Sequence, residues 1–299
     1  MAAVEKEPLK SEAEELDSLL LELHSGGAVK SIAGWPTGFA SLDRVLNGIS
    51  PGLYLLVGPP ACGKSAFAKQ LLDQIARRNS VPAIFFAFAE KKSDLRVRTL
   101  TRLSGLESRE IRRGAGYLLH SYGVSKHPSA DPNEMAPGWE KLKLVAEEAK
   151  EWLDLLYISE CDTRTTLNNI EQRILEVRRR KNSQPVMVII DDSQVLGEAG
   201  LSLDARLPLV AERLEDLAMR LDMPVLATWP DLEPAQAPQH WAERTAGANV
   251  VMVMREDAER TKQLTEPKQA ITLHIVKNRD GEKGTLRFDF SPALSQFTE

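Results

Sequence analysis

Leu53-Tyr54-Leu55-Leu56-Val57-Gly58-Pro59-Pro60-Ala61-Cys62-Gly63-Lys64-Ser65-Ala66 is the stretch that decides how this chain is read. Five apolar residues of strand type run into Gly58-x-x-x-x-Gly63-Lys64-Ser65. The segment beyond, SAFAKQLLDQIA, has a helical apolar period. Strand, glycine-bounded loop and helix in that order make a P-loop. Its backbone N–H groups wrap phosphate, and the helix N-terminus adds the positive end of its dipole. Residues Gly58 to Ala66 therefore form the expected cradle for ATP. Lys64 would reach the β- and γ-phosphates and Ser65 would ligate Mg²⁺. Cys62 fills one of the motif's free positions and is read as inert packing, with redox sensitivity as the alternative.

Outward from this loop, short apolar runs alternate with helical patterns. Leu53–Val57, Ala83–Phe88, Leu155–Ile158, Val186–Ile190, Pro224–Thr228 and Val250–Met254 read as buried strands. Helices are expected at 64–78, 93–103, 139–152, 165–181 and 205–222. Such alternation implies an α/β fold with a mostly parallel sheet and helices on both faces. The last two runs, Ala270–Val276 and Thr285–Phe290, flank the turn-rich KNRDGEKG and read as an antiparallel hairpin. Residues 114–138, rich in Gly, Pro, Ser and Asn, read as an irregular surface insertion.

A P-loop needs an acid on a nearby strand end to complete the metal site. Asp191, closing Val186-Met-Val-Ile-Ile-Asp191, supplies it. Two residues compete to activate the attacking water: Asp192, and Glu90 after the run AIFFAFA. All three lie where strand ends meet the P-loop, at the carboxyl edge of the sheet.

The chain has 299 residues with 38 Lys+Arg and 43 Asp+Glu, a net charge of −5. Its 42% apolar content excludes a mainly disordered chain. No apolar run reaches the ~18 residues of a membrane span, and MAAVEKEPLK has no signal-peptide core, so no membrane association and a cytoplasmic location are expected. Two cysteines cannot make a disulfide framework. Residues 1–30 hold seven acids against three lysines, and Leu9, Ala13, Leu16, Leu20 and Leu23 draw an apolar stripe along them. This acidic arm can dock on its own domain or on another subunit, and a protein partner for it is open. Lys91–Arg113 is the densest basic stretch and reads as a solvated helix surface, while Arg178–Lys181 reads as a cationic helix end.

Several short motifs stand in a fixed order: Thr37-Gly38-Phe39 with Leu42-Asp43 and Gly48, the P-loop, Phe85-Phe86-Ala-Phe-Ala-Glu90, and Ile190-Asp191-Asp-Ser-Gln194. Ala248-Asn-Val-Val-Met-Val-Met-Arg255-Glu-Asp257 and Lys277-Asn-Arg279-Asp-Gly281-Glu-Lys-Gly284 complete the set. From about residue 31 to the end, this set resembles the C-terminal motor domain of the DnaB-type replicative DNA helicases, within the RecA-like ATPases. The resemblance implies a RecA-like P-loop NTPase core over 31–299, preceded by an arm at 1–30 similar in position to the family's linker helix. Only those residues precede the core, so the family's separate N-terminal domain is not expected. Glu90 inherits the general-base role. Lys277 and Arg279, two residues apart near a hairpin tip, would act in trans on a neighbour's nucleotide, as arginine fingers do, which requires a ring, hexameric in this family. Single-stranded DNA is the implied track, and unwinding or translocation the implied activity.

Two features depart from the family. Thr228-Trp229-Pro230 stands where it has a Ser-Gln pair, so a γ-phosphate-sensing glutamine is missing. The pore-facing segments Gly197–Arg206 and Pro230–Gly247 are net acidic, leaving Arg206, His240 and Arg244 as candidate DNA contacts. An ATP-dependent regulator or loader with little translocation is therefore the alternative function, and a non-hydrolysing binding protein a third.

Overall fold

The computed structural model describes residues 34–114, 137–182, 184–197, 200–265 and 267–299. The acidic arm at 1–30 and residues 115–136 of the expected insertion lie outside them.

The P-loop strand β1 (Gly52–Gly58) lies inside a nine-stranded sheet of order β3-β2-β4-β5-β1-β6-β7-β8-β9. The parallel strands are β2 (Ala83–Ala87), β3 (Leu156–Glu160), β4 (Met187–Asp191), β5 (Pro224–Pro230) and β6 (Val250–Glu256). β7 (Gln269–Asn278), β8 (Gly284–Ser291) and β9 (Gln296–Thr298) continue the sheet antiparallel. Every residue of β1, β2 and β4 is buried, as strands covered on both faces require. The expected strands match within two residues at each end, and the expected hairpin is β7–β8. It gains a third strand, β9, which the sequence reading missed because Gln-Phe-Thr is too short for a period.

Alternation along β1 assigns its side chains to two cores. Tyr54 and Leu56 face Phe67, Leu71 and Ile75 of α2 (Lys64–Asn79), beneath α1 (Ala40–Leu46). Leu53, Leu55 and Val57 face Ile170 and Ile174 of α7 (Leu167–Arg180), and Val210 and Leu214 of α8 (Leu203–Arg220). Between them in sequence come α3 (Lys92–Ser104), α4 (Ser108–Arg113), α5 (Pro137–Glu148) and α6 (Lys150–Leu153); α9 (His240–Arg244) and α10 (Ala258–Thr261) follow. The helix expected at 139–152 is thus two helices meeting at Ala149, and Pro137 and Gly138 belong to α5 rather than to the insertion. Arg178, Arg179 and Arg180 do close α7, at the negative end of its dipole.

The solvated-surface reading of Lys91–Arg113 is corrected for two of its arginines. Arg102 reaches inward from α3 to Asp73 of α2, where Lys69 also pairs with Asp73 and donates to Thr99 Oγ1 (2.7 Å). Burial by itself would raise the Asp73 carboxyl, but Lys69 and Arg102 hold it below the usual carboxylate range. Arg98, the second, turns toward Glu90. Charge spacing cannot foresee the burial of Arg102, because its partner Asp73 sits on another helix. Asp73→Ala would leave two buried cations sharing no counter-charge, costing about 3–5 kcal/mol. Denaturant unfolding should show this as a lowered midpoint with an unchanged slope.

Candidate functional site

β1 delivers the chain to the carboxyl edge of the sheet, and the P-loop turns there into α2. Gly63 sits at φ +95°, and a Cβ on it would lie 3.0 Å from the Phe297 ring and 3.2 Å from Phe290. Glycine is therefore required twice over, by backbone and by space. Phe290 and Phe297 stack behind the loop, and Phe67 of α2 meets Phe297 edge-on, with centroids 5.2 Å apart. The cradle thus rests on a rigid aromatic floor.

Lys64 folds back over the loop, donating from Nζ to the carbonyls of Gly58 and Pro59, each at 2.9 Å. Cys62 is buried among the loop residues. Burial pushes its thiol up, with the Lys64 charge opposing, so it is a poor nucleophile, as the inert reading expects.

Asp191 ends β4 and is buried. Thr228 Oγ1 donates to its Oδ1 (2.8 Å) and itself accepts from the Asp192 amide (2.8 Å). Asp191 Oδ2 has no hydrogen-bond partner. The carboxyl is pushed up to about 6, chiefly by burial, with Asp192 and Glu90 adding negative charge and the Ser65 and Thr228 hydroxyls opposing. An ionisable oxygen left bare beside Ser65, and costly to charge, fits a place in a divalent-cation shell. The sequence reading quoted Thr228 only as a strand end and beside the missing glutamine; its contact with Asp191 follows from β5 lying next to β4.

Of the two acids that compete to activate water, Asp192 turns aside. Its backbone is left-handed (φ +61°) and its Oδ1 accepts from Gln194 Nε2 (3.1 Å). Glu90 lies three residues past the end of β2 and is gripped by Arg98 through two bonds, Nη2 to Oε1 (2.5 Å) and Nε to Oε2 (3.1 Å). Arg98 was not among the sequence candidates; its place on α3, eight residues after Glu90, was the available signal.

Lys277 and Arg279 are engaged elsewhere. Lys277 Nζ donates to the carbonyls of Thr245 (2.8 Å) and Ala246 (2.7 Å), and Arg279 pairs with Glu215 of α8 (3.3 Å). Burial, with Arg279 alongside, pushes the Lys277 ammonium down. A β-bulge opposite Val251 and Met252 breaks the regular alternation just before Lys277.

His240 and Arg244 share a cavity of about 230 Å³ with Asp204, Trp229, Asp231 and Trp241. Arg244 pairs with Asp204 and lies over the Trp241 ring at 5.1 Å, and His240 Nδ1 contacts the Ala237 carbonyl (2.6 Å). Arg206 donates to the Leu201 carbonyl (2.8 Å) and does not line that cavity. The sequence reading quoted Arg255 within a motif but missed its ion pair with the fully buried Asp231, beside the P-loop. Among the described residues no group of His, Cys, Asp and Glu forms a metal cluster, and no helix is long and apolar enough to cross a membrane.

Because the raised Asp191 carboxyl binds a proton more tightly folded than unfolded, its contribution to stability falls as pH rises from about 3.8 to about 6, and stays low above that. Asp191→Asn removes the charge and keeps the acceptor for Thr228. Without nucleotide or metal it should gain up to about 3 kcal/mol at pH 7.5 and nothing near pH 4, read as a pH-dependent difference in melting temperature.

A profile of the DnaB-like helicase C terminal domain matches residues 34–299. The chain is 25% identical over 298 residues to the replicative DNA helicase DnaB of Leifsonia xyli subsp. xyli, covering 95% of this chain and 59% of that protein. It is likewise 25% identical to the DnaB of Haemophilus influenzae, over 97% of this chain and 59% of the relative. It therefore spans somewhat more than half the length of these relatives. A solved structure described as an ATPase domain superposes with a TM-score of 0.73 at 21% identity, over 97% of this chain and 99% of that one. A structure of a DnaB-like replicative helicase and its interactions with primase gives 0.67 at 20%, over 97% and 67%. With the match covering nearly the whole chain, and the P-loop, Asp191 and Glu90 meeting at one sheet edge, this protein belongs to the DnaB-like helicase C-terminal domain family.

Proposed function

We propose that this chain is an ATP-hydrolysing motor that works on single-stranded DNA, as a translocase or helicase, in a ring of identical subunits. One observation carries the reading: Lys64, Asp191 and Glu90 meet at the carboxyl edge of the sheet, while the Lys277–Arg279 pair is held by other contacts of the same chain. Lys277 is held by two carbonyls and Arg279 by Glu215, partly exposed contacts that a neighbour's phosphates could replace, and that supports a site shared between subunits.

The P-loop amides and the N-terminus of α2 bind the phosphates of ATP, and Lys64 exchanges the Gly58 and Pro59 carbonyls for β- and γ-phosphate oxygens. Ser65 and Asp191 would hold Mg²⁺, which when bound neutralises charge across the β- and γ-phosphates. Glu90 orients the attacking water and accepts its proton, which requires it to be free of Arg98's two-pronged hold. Lys277 and Arg279 of one subunit neutralise the γ-phosphate of the next. A finger acting in trans needs a neighbour, and the family resemblance supplies the closed ring and the number of six subunits. Arg206, His240 and Arg244 are the strand contacts, once Arg244 exchanges Asp204 for phosphate. Residues 1–30 form a separate arm that docks on a neighbour or another protein, 31–299 form the motor with a surface insertion that ends before Pro137, and the protein works in the cytoplasm.

A second reading, an ATP-dependent regulator or loader, is favoured by the internal pairing of Arg206 and Arg244 and by Trp229, buried where a sensor glutamine is expected.

Steady-state hydrolysis with and without poly-dT separates the two. A motor shows several-fold stimulation that weakens with salt, whereas turnover indifferent to the oligonucleotide selects the regulator. Lys64→Ala should abolish hydrolysis, and undiminished turnover would sink the site assignment. Arg279→Ala should lose roughly 10³-fold in kcat while ADP still binds. Mixing these two inactive variants should restore part of the activity, because Lys64→Ala subunits lend an intact finger to Arg279→Ala neighbours. No recovery on mixing would refute the shared site.

A further inference from the structure

The buried pair Asp231–Arg255 has no role in the scheme above, yet it touches both the P-loop and the segment that carries Trp241 and Arg244. Asp231 is the first residue beyond β5 and is fully buried. Its amide donates to the Gly58 carbonyl (2.8 Å), the same oxygen that accepts from Lys64 Nζ (2.9 Å). One P-loop carbonyl is therefore shared between the phosphate-binding lysine and Asp231. On its other side Asp231 opens the segment 231–247, whose Trp241 and Arg244 line the cavity that Asp231 itself borders.

The carboxylate of Asp231 pairs with Arg255 of β6, whose side chain is 13% exposed. Asp231 Oδ1 also accepts from the Glu233 amide (3.0 Å). Asp231 Oδ2 and Arg255 Nη2 are in direct contact across the ion pair, and the Arg255 side chain keeps some access to solvent while Asp231 has none. Arg255 also lies beside the cradle. A Cβ on Gly58 would come within 3.1 Å of the preceding carbonyl, that of Met254, and the Arg255 charge is felt at Cys62. Meanwhile β5 offers no phosphate sensor of its own, because Trp229 is buried at the position of the expected glutamine.

We propose that the Asp231–Arg255 ion pair reads the phosphate state of the P-loop and passes it to the segment 231–247, in place of the missing glutamine. The inference rests on the reading of Gly58–Ala66 as an ATP site. A bound triphosphate draws Lys64 off the Gly58 carbonyl and attracts the Arg255 guanidinium. Asp231 then loses part of its counter-charge at a fully buried position, where an uncompensated carboxylate is costly. The start of the segment moves with it, and the Trp241 environment changes. A diphosphate carries less charge and leaves the pair closed. Asp231 and Arg255 are positioning residues; neither takes part in bond cleavage.

The test uses the full chain and tryptophan fluorescence, with Mg²⁺ and either ADP or the non-hydrolysable triphosphate AMP-PNP as probe. Subtracting the response of Trp241→Phe isolates Trp241 from the chain's other four tryptophans. The parent should show a Trp241 change with AMP-PNP that ADP does not produce. Asp231→Asn, which keeps the acceptor for the Glu233 amide, should bind AMP-PNP within about threefold of the parent while losing at least about four-fifths of that change. Arg255→Lys keeps a counter-charge on Asp231 but not the guanidinium fork, and should fold as the parent does while its response falls. It decides the matter if Asp231→Asn does not fold. A parent-like response in the folded variants, or saturable AMP-PNP binding by the parent with no Trp241 change, overturns the inference alone. A parent that binds neither nucleotide overturns the ATP-site reading and this inference with it.

Discussion

Parallel pairing of β1 between β5 and β6 is the constraint on which the rest of this structure depends. It is satisfied only because every β1 side chain is apolar enough to be buried on one face or the other. The register sets Leu56 beside Thr228 and Gly58 beside Pro230, so the P-loop emerges next to the hydroxyl that holds Asp191. β4 lies one strand further out and β2 beyond it, which puts Asp191 and Glu90 along the same edge. α2 packs on one face of β1 and α8 on the other, so the strand is held from both sides.

Electrostatically, the charged groups along this edge each have a partner within the chain. Lys64 holds carbonyls, Glu90 holds Arg98, Lys277 holds two more carbonyls and Arg279 holds Glu215. These contacts are partly exposed and individually modest, so the charge of a nucleotide can displace them. The buried triad Lys69–Asp73–Arg102 is different in kind. It ties the helix after the P-loop to the helix that carries Arg98 through side chains that are almost wholly buried.

The segment 231–247 has contacts at both ends with groups proposed to bind phosphate. Asp231 touches Gly58 at one end, and Lys277 touches Thr245 and Ala246 at the other. A chain segment bonded in this way to its own P-loop and to Lys277 can respond to either. The small helix α9 between these ends presents Arg244 over Trp241.

Local pattern determined much by itself. The P-loop, the order of strands and helices, the hairpin and the acids at strand ends were legible because each depends on neighbours in sequence: glycine spacing for a tight turn, an apolar run for a buried strand, a period for a helix. Glu90, Asp191, Lys277 and Arg279 were singled out in the sequence, but the partners they have in the structure were not. Tertiary structure alone decided that Arg98 grips Glu90, that Thr228 holds Asp191, that Arg102 is buried rather than solvated, and that Asp231 pairs with Arg255. The physical reason is common to all four. Sequence sets which groups carry charge, but the partner of a charge, and the water around it, are set by strands and helices that meet only when the sheet closes.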